Sequence, residues 1–539
     1  MMISIRKSPT LFLILMGLFQ FIFSQDSGET SVQGGIGAVT IDGKVWNQIA
    51  IRPVVPFWKL AVALDIVLYI DEDGNIRKDE WDFSSGNAIK NTIVDKIYYI
   101  RYGQPNDPLY IKVGALDNVT LGYGILVNGY SNSIQYPQVR KVGLDARMKK
   151  WGVSAQGFVN DFKENIGLSG FRVSKRLPVG FHAGIALVVD RNQFLGLKDS
   201  DGDGRPDLVD DFPDSDNYWL DSDEDGLADT DPDEIDRDGD GFPDVNNLDS
   251  IHVWWDDLGA AVGVDFSGES YYDSIPDNDI QLDNEPLNVK TDSDGIGGMS
   301  VDVSYPVLTG GSLKLDVYAQ MAMLIGKTTN PASPTEKVNT GVGIVPVGIA
   351  SSFGPARLNV EYRIIPGKGR FEFGYWNRSY EIERATFHQF GSNVDVMTKE
   401  SKLGEYGGQN GIYGRLGVDI GSLITFGSEY QYLRGEIWNG NEFAEQNNQS
   451  LFAALKLQKK ISKISRAEMF YYQRNVPNLL EFEMNESTIM GYRVGIAVSS
   501  GLVLNYVFTR SFVDLNGDGV ISGEGETVNI TTIETSFNF

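Results

Sequence analysis

The sequence predicts an all-β protein: a transmembrane antiparallel β-barrel of roughly 18 strands, within a range of 16–20, that carries an inserted acidic loop. Three observations lead to this fold class. Apolar and polar residues alternate with period two, the alternating segments run for about 10 to 14 residues, and short turns alternate with long loops. After the N-terminus no run of 18 uncharged apolar residues occurs, so the chain offers no hydrophobic stretch for a membrane-spanning helix.

The alternation is clearest at residues 313–323, where Leu, Val, Ala and Met side chains share one face and polar side chains share the other. Similar segments lie near residues 360 and 505. Soluble sheets also alternate, but their strands are usually about 5–6 residues long. Fully charged side chains on the polar face indicate an aqueous lumen. These lumen candidates are Lys314, Asp316, Arg357, Glu361 and Arg363.

The connections between strands also alternate, and bacterial barrels place short turns on one side and long loops on the outer side. Residues 257–267 resemble a strand but break this alternation, and we assign them to the outer loop region. Counted from the C-terminus, the predicted connections are a long loop at 513–526, a turn at 499–501, a longer loop at 475–487, a turn at 460–462, a longer loop at 438–448, a turn at 421–422, a long loop at 381–408 and, far upstream, a loop at 71–88.

The N-terminus has the three parts of a secretory signal peptide. A basic start at Arg6 and Lys7 precedes an apolar stretch from Leu11 to Phe23, and polar sequence begins at Ser24. This order predicts a signal peptide over residues 1–24. The absence of cysteine excludes disulfides, a lipid-modified cysteine and zinc–thiolate sites.

The C-terminal residues alternate as well. Ile533, Phe537 and Phe539 share one face, and Glu534 and Ser536 lie on the other. This ending resembles that of Gram-negative outer-membrane β-barrel proteins. The resemblance implies that the chain lies in the outer membrane, in contact with its lipid, and that the barrel-assembly machinery recognises Phe539. We therefore expect the barrel to occupy residues 25–195 and 251–539.

Most of the negative charge lies in one block, residues 196–250. Residues 199–250 hold 21 acidic residues and only two arginines, within a chain whose net charge is -27. Nucleic acid is a disfavoured partner, because phosphate contacts need clustered Lys and Arg.

The acidic block is periodic, with Asp at relative positions one, three, five and nine and Gly at position six. Calcium takes six to eight oxygen ligands, and such a loop wraps carboxylates and one carbonyl around the ion. The expected carbonyl donors are those of Arg205, Leu227 and Phe242. The predicted Ca²⁺ ligands are Asp199, Asp201, Asp203, Asp207 and Asp210 in the first unit, Asp221, Asp223, Asp225 and Asp229 in the second, and Asp236, Asp238, Asp240 and Asp244 in the third.

These units resemble thrombospondin type 3 repeats, which implies that the block is a calcium-binding linker. The units depart from that pattern in two ways: they lack cysteine, and position twelve is Pro232 in the second unit and Asn247 in the third. The alternative is a disordered, solvated acidic loop.

A further candidate resembles an EF-hand loop: Asp514, Asn516, Asp518 and Gly519. The acid expected at position twelve is replaced by Gly525, with a glutamate on either side. The alternative is a Gly-rich hairpin turn. Weaker acidic fragments lie at 71–75 and 292–295. All of these acidic segments fall in connections that we assign to the extracellular side.

The three histidines, His182, His252 and His388, are far apart and belong to no catalytic motif, so we expect no enzyme. Residues Gly122 to Ser133 either fold into the lumen as a constriction or form an outer loop. The main hypothesis is a porin-like channel for small polar solutes with a calcium-stabilised extracellular loop, and oligomerisation is compatible with it. The alternative is a surface structural or adhesive protein whose barrel anchors a calcium-binding module.

Overall fold

A computed structural model describes most of the chain. The described residues are 31–41, 43–77, 81–83, 86–222, 226–231, 262–263, 283–390, 393–421, 423–499, 501–517, 519–523 and 525–538. The predicted signal peptide, the terminal Phe539 and nearly all of the strand-like segment 257–267 lie outside these ranges.

Twenty strands form the barrel. They are β1 (Ser31–Ile41), β2 (Lys44–Phe57), β3 (Leu60–Leu64 and Ile66–Ile70), β4 (Ile97–Tyr102), β5 (Leu109–Gly114), β6 (Gly143–Lys150), β7 (Val153–Val159), β8 (Leu168–Arg176), β9 (His182–Asp190), β10 (Ile296–Leu308), β11 (Leu313–Ile325), β12 (Val342–Phe353), β13 (Ala356–Ile365), β14 (Tyr406–Ile420), β15 (Ile424–Trp438), β16 (Phe443–Leu457), β17 (Ile464–Val476), β18 (Ile489–Ser499), β19 (Leu502–Phe512) and β20 (Thr527–Asn538).

Each strand pairs antiparallel with the next one along the chain, and β20 pairs with β1 to close the cylinder. The number is therefore 20, not about 18, at the upper limit of the predicted range. The difference arises in the first half of the barrel. Strands β4 to β9 are only six to nine residues long, and β3 is interrupted at Asp65, so the period-two pattern is short there.

The remaining regular elements are short. Helix α1 spans Gly86–Asp95 and helix α2 spans Tyr380–Glu383; 3-10 turns span Pro178–Gly180, Gln193–Gly196, Ser401–Glu405 and Leu479–Glu481; short strands span Val127–Asn128, Lys327–Asn330, Ser333–Asn339, Trp376–Asn377, Ala385–Phe390 and Asn393–Thr398. Among the described residues, no helix has both the length and the hydropathy that a membrane crossing requires.

The two faces of the strands differ as the alternation predicts. On β11 the apolar side chains of Met321, Met323 and Ile325 are exposed on the outer face, whereas Tyr318 and Gln320 are buried on the inner face. The outer surface of the cylinder is therefore apolar, and polar side chains point inward.

Connections at one end of the barrel are two to six residues long, and most connections at the other end are long, which confirms the predicted alternation. The largest are residues 191–295 and 366–405. One predicted long loop is wrong. Residues 438–448 contain only a four-residue turn, because Trp438 and Phe443 still pair within the β15–β16 hairpin.

The chain forms two compact units. The first is the barrel, and the second comprises Phe194–Asp294 together with Gly391–Val394.

At the seam between the first and last strands, β1 forms a shorter ladder with β20 than with β2. Strand β1 pairs with β2 from Ser31 to Ile41 but with β20 only from Gln33 to Val39. Glu534 reinforces the seam from inside, where its carboxylate pairs with Arg52 at 2.8 Å and accepts a hydrogen bond from Gln48. A side chain at Gly35 would occupy the space of that carboxylate.

Candidate functional site

Two long connections fold into the barrel, and we call them together the plug: residues 115–142 and 366–384. Leu126 and Trp376 of the plug lie against Gly298 on the inner face of β10. Tyr123 stacks on the inward-facing Tyr318, with 3.8 Å between the ring centroids. Of the two alternatives for residues 122–133, the structure supports the lumen position.

The two plug segments form one apolar core with the barrel wall. They meet in a short parallel pairing of Val127 with Trp376, and the amide of Gly374 donates to the carbonyl of Ile125 at 2.9 Å. Their buried side chains share a cluster with inward-facing residues of β7 to β13 and of β15. The plug and the wall therefore bury apolar side chains against each other.

A buried ion-pair network fixes the plug at its long-loop end. Arg384, which is completely buried, donates two hydrogen bonds to Asp190 at 2.7 and 2.8 Å and one to Glu164 at 2.7 Å. Lys141 bridges Glu164 at 2.6 Å and Glu381 at 2.5 Å. Wall, plug and the β7–β8 loop are thus joined through one connected set of charges.

The pKa values in this loop follow from burial and from the cations. Burial alone would raise the pKa of Glu164, but Arg384 and Lys141 outweigh it and lower that pKa to about 2. At the neighbouring Asp161, burial outweighs the attraction of Lys163 and Lys141 and raises the pKa to about 6. The loop therefore holds one carboxylate that is strongly favoured as an anion and one that is not.

A second anchor ties the plug to strand β17. Arg474 pairs with Glu372 at 2.8 Å and donates to the carbonyls of Phe373 and Gly374 at 2.6 and 2.9 Å. Lys399 lies 3.5 Å from the same Glu372. Because these contacts satisfy main-chain as well as side-chain groups, the plug is held in one arrangement.

The five predicted lumen charges lie on the inward-facing side of β11 and β13 but differ in environment. Glu361 and Arg363 are buried and bound to each other at 2.7 Å, and Glu361 also accepts from Tyr318. Arg357 is exposed and pairs with Asp419 at 2.7 Å. Lys314 is exposed and Asp316 is half-buried. Glu361 and Arg363 therefore stiffen the wall and do not face free solvent.

A chamber of about 390 Å³ remains between the plug and the wall. The plug side presents Asp117, Ser133, Tyr136 and Arg140. The wall side presents Tyr98 from β4 and a charged group from β16 to β18, namely Lys456, Arg466, Glu468 and Arg493.

On the wall side of this chamber, basic side chains outnumber acidic ones. Glu468 is shared between Arg466 at 3.2 Å and Lys456 at 3.9 Å. Arg493, in register with Glu468 on the next strand, forms no ion pair with any part of the chain that the structure describes. The sequence did not single out these residues, because the pairing of three strands is needed to bring them together.

In the second unit the first two acidic repeats fold alike. The amide and hydroxyl of Ser200 donate to Asp207 at 2.7 and 2.8 Å, and those of Ser222 donate to Asp229 at 2.9 and 2.6 Å. In both repeats the glycine at position six donates its amide to the aspartate at position one. The sequence period is therefore also a structural period.

The carboxylates of the first repeat are arranged as a cation site requires. Asp199, Asp201 and Asp203 each place an oxygen within 4.8 Å of the others. Buried oxygens of Asp201 and Asp210 accept no hydrogen bond. Burial raises the pKa of Asp199 and of Asp210 to about 6. These oxygens fit the ligand set that calcium prefers.

Several predicted ligands cannot be placed. Asp223, Asp225, Asp236, Asp238, Asp240, Asp244 and Asp518 lie outside the described residues. Within the first repeat, the ammonium of Lys290 donates to the carbonyls of Gly202 and Asp203 at 2.7 and 2.6 Å, so a lysine supplies positive charge beside the loop.

The EF-hand-like loop between β19 and β20 contains the same main-chain contact as the repeats. The amide of Gly519 donates to Asp514 at 2.9 Å, and the other carboxylate oxygen of Asp514 is buried without a hydrogen bond. The glutamate that turns inward is Glu526, which accepts the amides of Leu515 and Ser522 at 3.2 and 2.8 Å. Asn516 lies in the same loop.

Comparison with known proteins adds little to this description. The sequence matches no protein-family model and no curated protein. The structure aligns over 95% of its length with OccK5 (OpdH) of Pseudomonas aeruginosa, at 7% identity, 97% coverage of that chain and a TM-score of 0.32. With OprD of the same organism it aligns over 95% of its length, at 7% identity, 94% coverage of that chain and a TM-score of 0.31. With the FrpB iron transporter of Neisseria meningitidis (F3-3 variant) it aligns over 96% of its length, at 8% identity, 83% coverage of that chain and a TM-score of 0.35. All three TM-scores lie below 0.5, so the evidence for the barrel is the pairing of its strands and not these similarities.

Proposed function

We propose that this protein is an outer-membrane, porin-like channel for small polar solutes, narrowed by its plug. The observation that carries the proposal is the charged chamber of about 390 Å³ inside a closed barrel with an apolar outer face. An apolar outer band around a polar interior is the arrangement that a membrane-spanning barrel requires.

The proposed orientation places the short turns in the periplasm and the long loops outside. It is supported by the segregation of connection lengths between the two ends of the barrel, as in bacterial barrels generally. In this orientation the acidic repeats and the β19–β20 loop meet extracellular calcium, and we infer that calcium makes the first repeat rigid. Entry through a signal peptide, recognition of Phe539 by the assembly machinery and oligomerisation belong to the same proposal.

The alternative is a surface protein whose barrel anchors a calcium-binding module, and the plug is an observation that supports it. A barrel whose interior contains a packed apolar core has less space for solute than an open porin. In that case the calcium-binding module would be the working part of the protein.

Single-channel recording in planar bilayers distinguishes the two. We expect the purified full-length protein to give steady ohmic openings that are smaller than those of an open porin. A correctly folded barrel that stays electrically silent in symmetric salt would contradict the channel and support the anchor.

A further inference from the structure

The outer face of strands β5 to β9 contains an apolar groove of about 520 Å³. Small residues form the floor of the groove. Ala146 of β6 pairs with Gly157 of β7, and Ala155 lies two residues before Gly157 on β7. Larger apolar side chains border the floor: Ile111 and Met148 on one side, Phe171 and Leu187 on the other.

Two lysines lie in line with the short-turn end of this groove. Lys150 and Lys175 both pair with Val153, one from each side, so they occupy one row of the outer face. Both are exposed, and neither forms an ion pair within the described part of the chain. The ammonium of Lys150 lies 4.0 Å from the ring centroid of Trp151, which is 86% exposed.

We propose that this groove and lysine pair bind one anionic glycerophospholipid. The row of lysines and the row of Ala146 and Gly157 are four residues apart, about 13 Å along a strand, which suits acyl chains in the groove and a phosphate between the ammonium groups. Charge complementarity selects an anionic headgroup, since two cations face the lipid there and no carboxylate among the described residues pairs with either. Trp151 supplies the amphipathic ring that favours the interface.

The lipid assignment does not depend on channel activity. It needs only that the barrel spans a membrane with its short turns at the phospholipid leaflet. Conductance should therefore be unchanged in variants that lose the lipid.

Native mass spectrometry of the full-length barrel tests the proposal, with phosphatidylglycerol or phosphatidylethanolamine supplied in the micelles. We expect wild type to retain one phosphatidylglycerol preferentially. In the K150E/K175E variant the affinity for phosphatidylglycerol should fall at least about thirtyfold, given the contribution of each basic residue near an anionic surface. The matched control is K459E/K460E, which reverses two exposed charges in the β16–β17 turn and should leave retention unchanged.

A second variant tests the groove without altering the charge. Ala155→Phe fills the floor, keeps both lysines and should also reduce retention. Equal retention by wild type and K150E/K175E, an equal loss in K459E/K460E, or full retention in Ala155→Phe would overturn the proposal. In micelles that also contain lipid A, preferential retention of lipid A over phosphatidylglycerol would overturn the assignment to a glycerophospholipid. Unchanged mobility of the folded form on gels confirms that each variant has closed its barrel.

Discussion

At the residue scale, Arg384 joins the plug to the barrel wall. It has no exposed surface, and it contacts both the wall aspartate Asp190 and the loop glutamate Glu164. Removing one member of such a network leaves buried charges without compensation, which is costly. Arg384 thus fixes the long-loop end of the plug, while Arg474 separately holds the plug to β17.

We expect Arg384→Met to destabilise the barrel by about 3–5 kcal/mol, because Asp190 and Glu164 lose their shared cation. Urea unfolding in detergent micelles measures the change. Arg357→Met is the matched control, since Arg357 is exposed and its pair with Asp419 should contribute at most about 1 kcal/mol. Equal effects of the two substitutions would contradict the role given to Arg384.

Asp161 should show the opposite behaviour, with a dependence on pH. Its pKa is raised to about 6 in the folded chain, so the native state holds the proton more tightly than the unfolded state. Stability is therefore lost as pH rises from about 4 to above 6, by up to about 3 kcal/mol. Asp161→Asn keeps an oxygen that accepts the amides of Val142 and Lys163.

We accordingly expect Asp161→Asn to stabilise the protein at pH 8 and to change little at pH 4. Unfolding curves at the two pH values provide the comparison, and each serves as the other's control. A gain of the same size at both pH values would show that the effect is not ionisation of Asp161.

At the element scale, the acidic repeats combine a common fold with carboxylates that resist ionisation. Asp199 and Asp210 have pKa values raised to about 6, so protons would compete in that range with the calcium that we propose. We expect calcium affinity in the full-length protein to fall markedly between pH 7.5 and pH 5, as measured by calorimetry. The D201N/D210N variant should lose one binding event.

The control for that titration is D214N/D216N. Both aspartates are exposed, and they lie in the same unit but outside the repeat positions. Calorimetry should give the same calcium stoichiometry for this variant as for wild type. Loss of binding in D214N/D216N would indicate general screening of the acidic block, and absence of heat in wild type would contradict calcium binding.

The elements that the sequence predicted well are those with long, regular alternation. Strands β11, β13 and β19 have the predicted faces, because lipid outside and solvent inside impose opposite polarity on successive residues. The short strands β4 to β9 give too few alternations to be counted reliably. The sequence could not decide between a lumen position and an outer loop for the plug residues 122–133. The buried residues of this part of the plug, such as Leu121, Leu126 and Tyr130, follow no regular period.

At the scale of the whole molecule, selectivity should depend on residues that come together only in the closed barrel. Arg466 and Arg493 belong to different strands and face the chamber with a single glutamate between them. No sequence period marks them, because their proximity comes from the register of β17 and β18. The chamber could not be predicted before the strand order was known.

If the barrel conducts, Arg493→Glu should shift its selectivity toward cations, because it reverses a charge that has no ion-pair partner among the described residues. The reversal potential in a salt gradient measures this shift. Arg510→Glu is the control, since Arg510 lies on the outer side of β19, where it donates to Asn529 at 2.7 Å. Identical reversal potentials for both variants and wild type would contradict a role for the chamber.

The seam between β1 and β20 has a mechanical consequence. The backbone ladder at this seam covers seven residue pairs, from Gln33 to Val39, whereas the ladder between β1 and β2 covers eleven. Glu534 of β20 also crosses the seam on the inner face, where it accepts hydrogen bonds from Gln48 and Arg52 of β2. A force that pulls β1 away from β20 must therefore break these side-chain contacts, which span β1, as well as the backbone ladder.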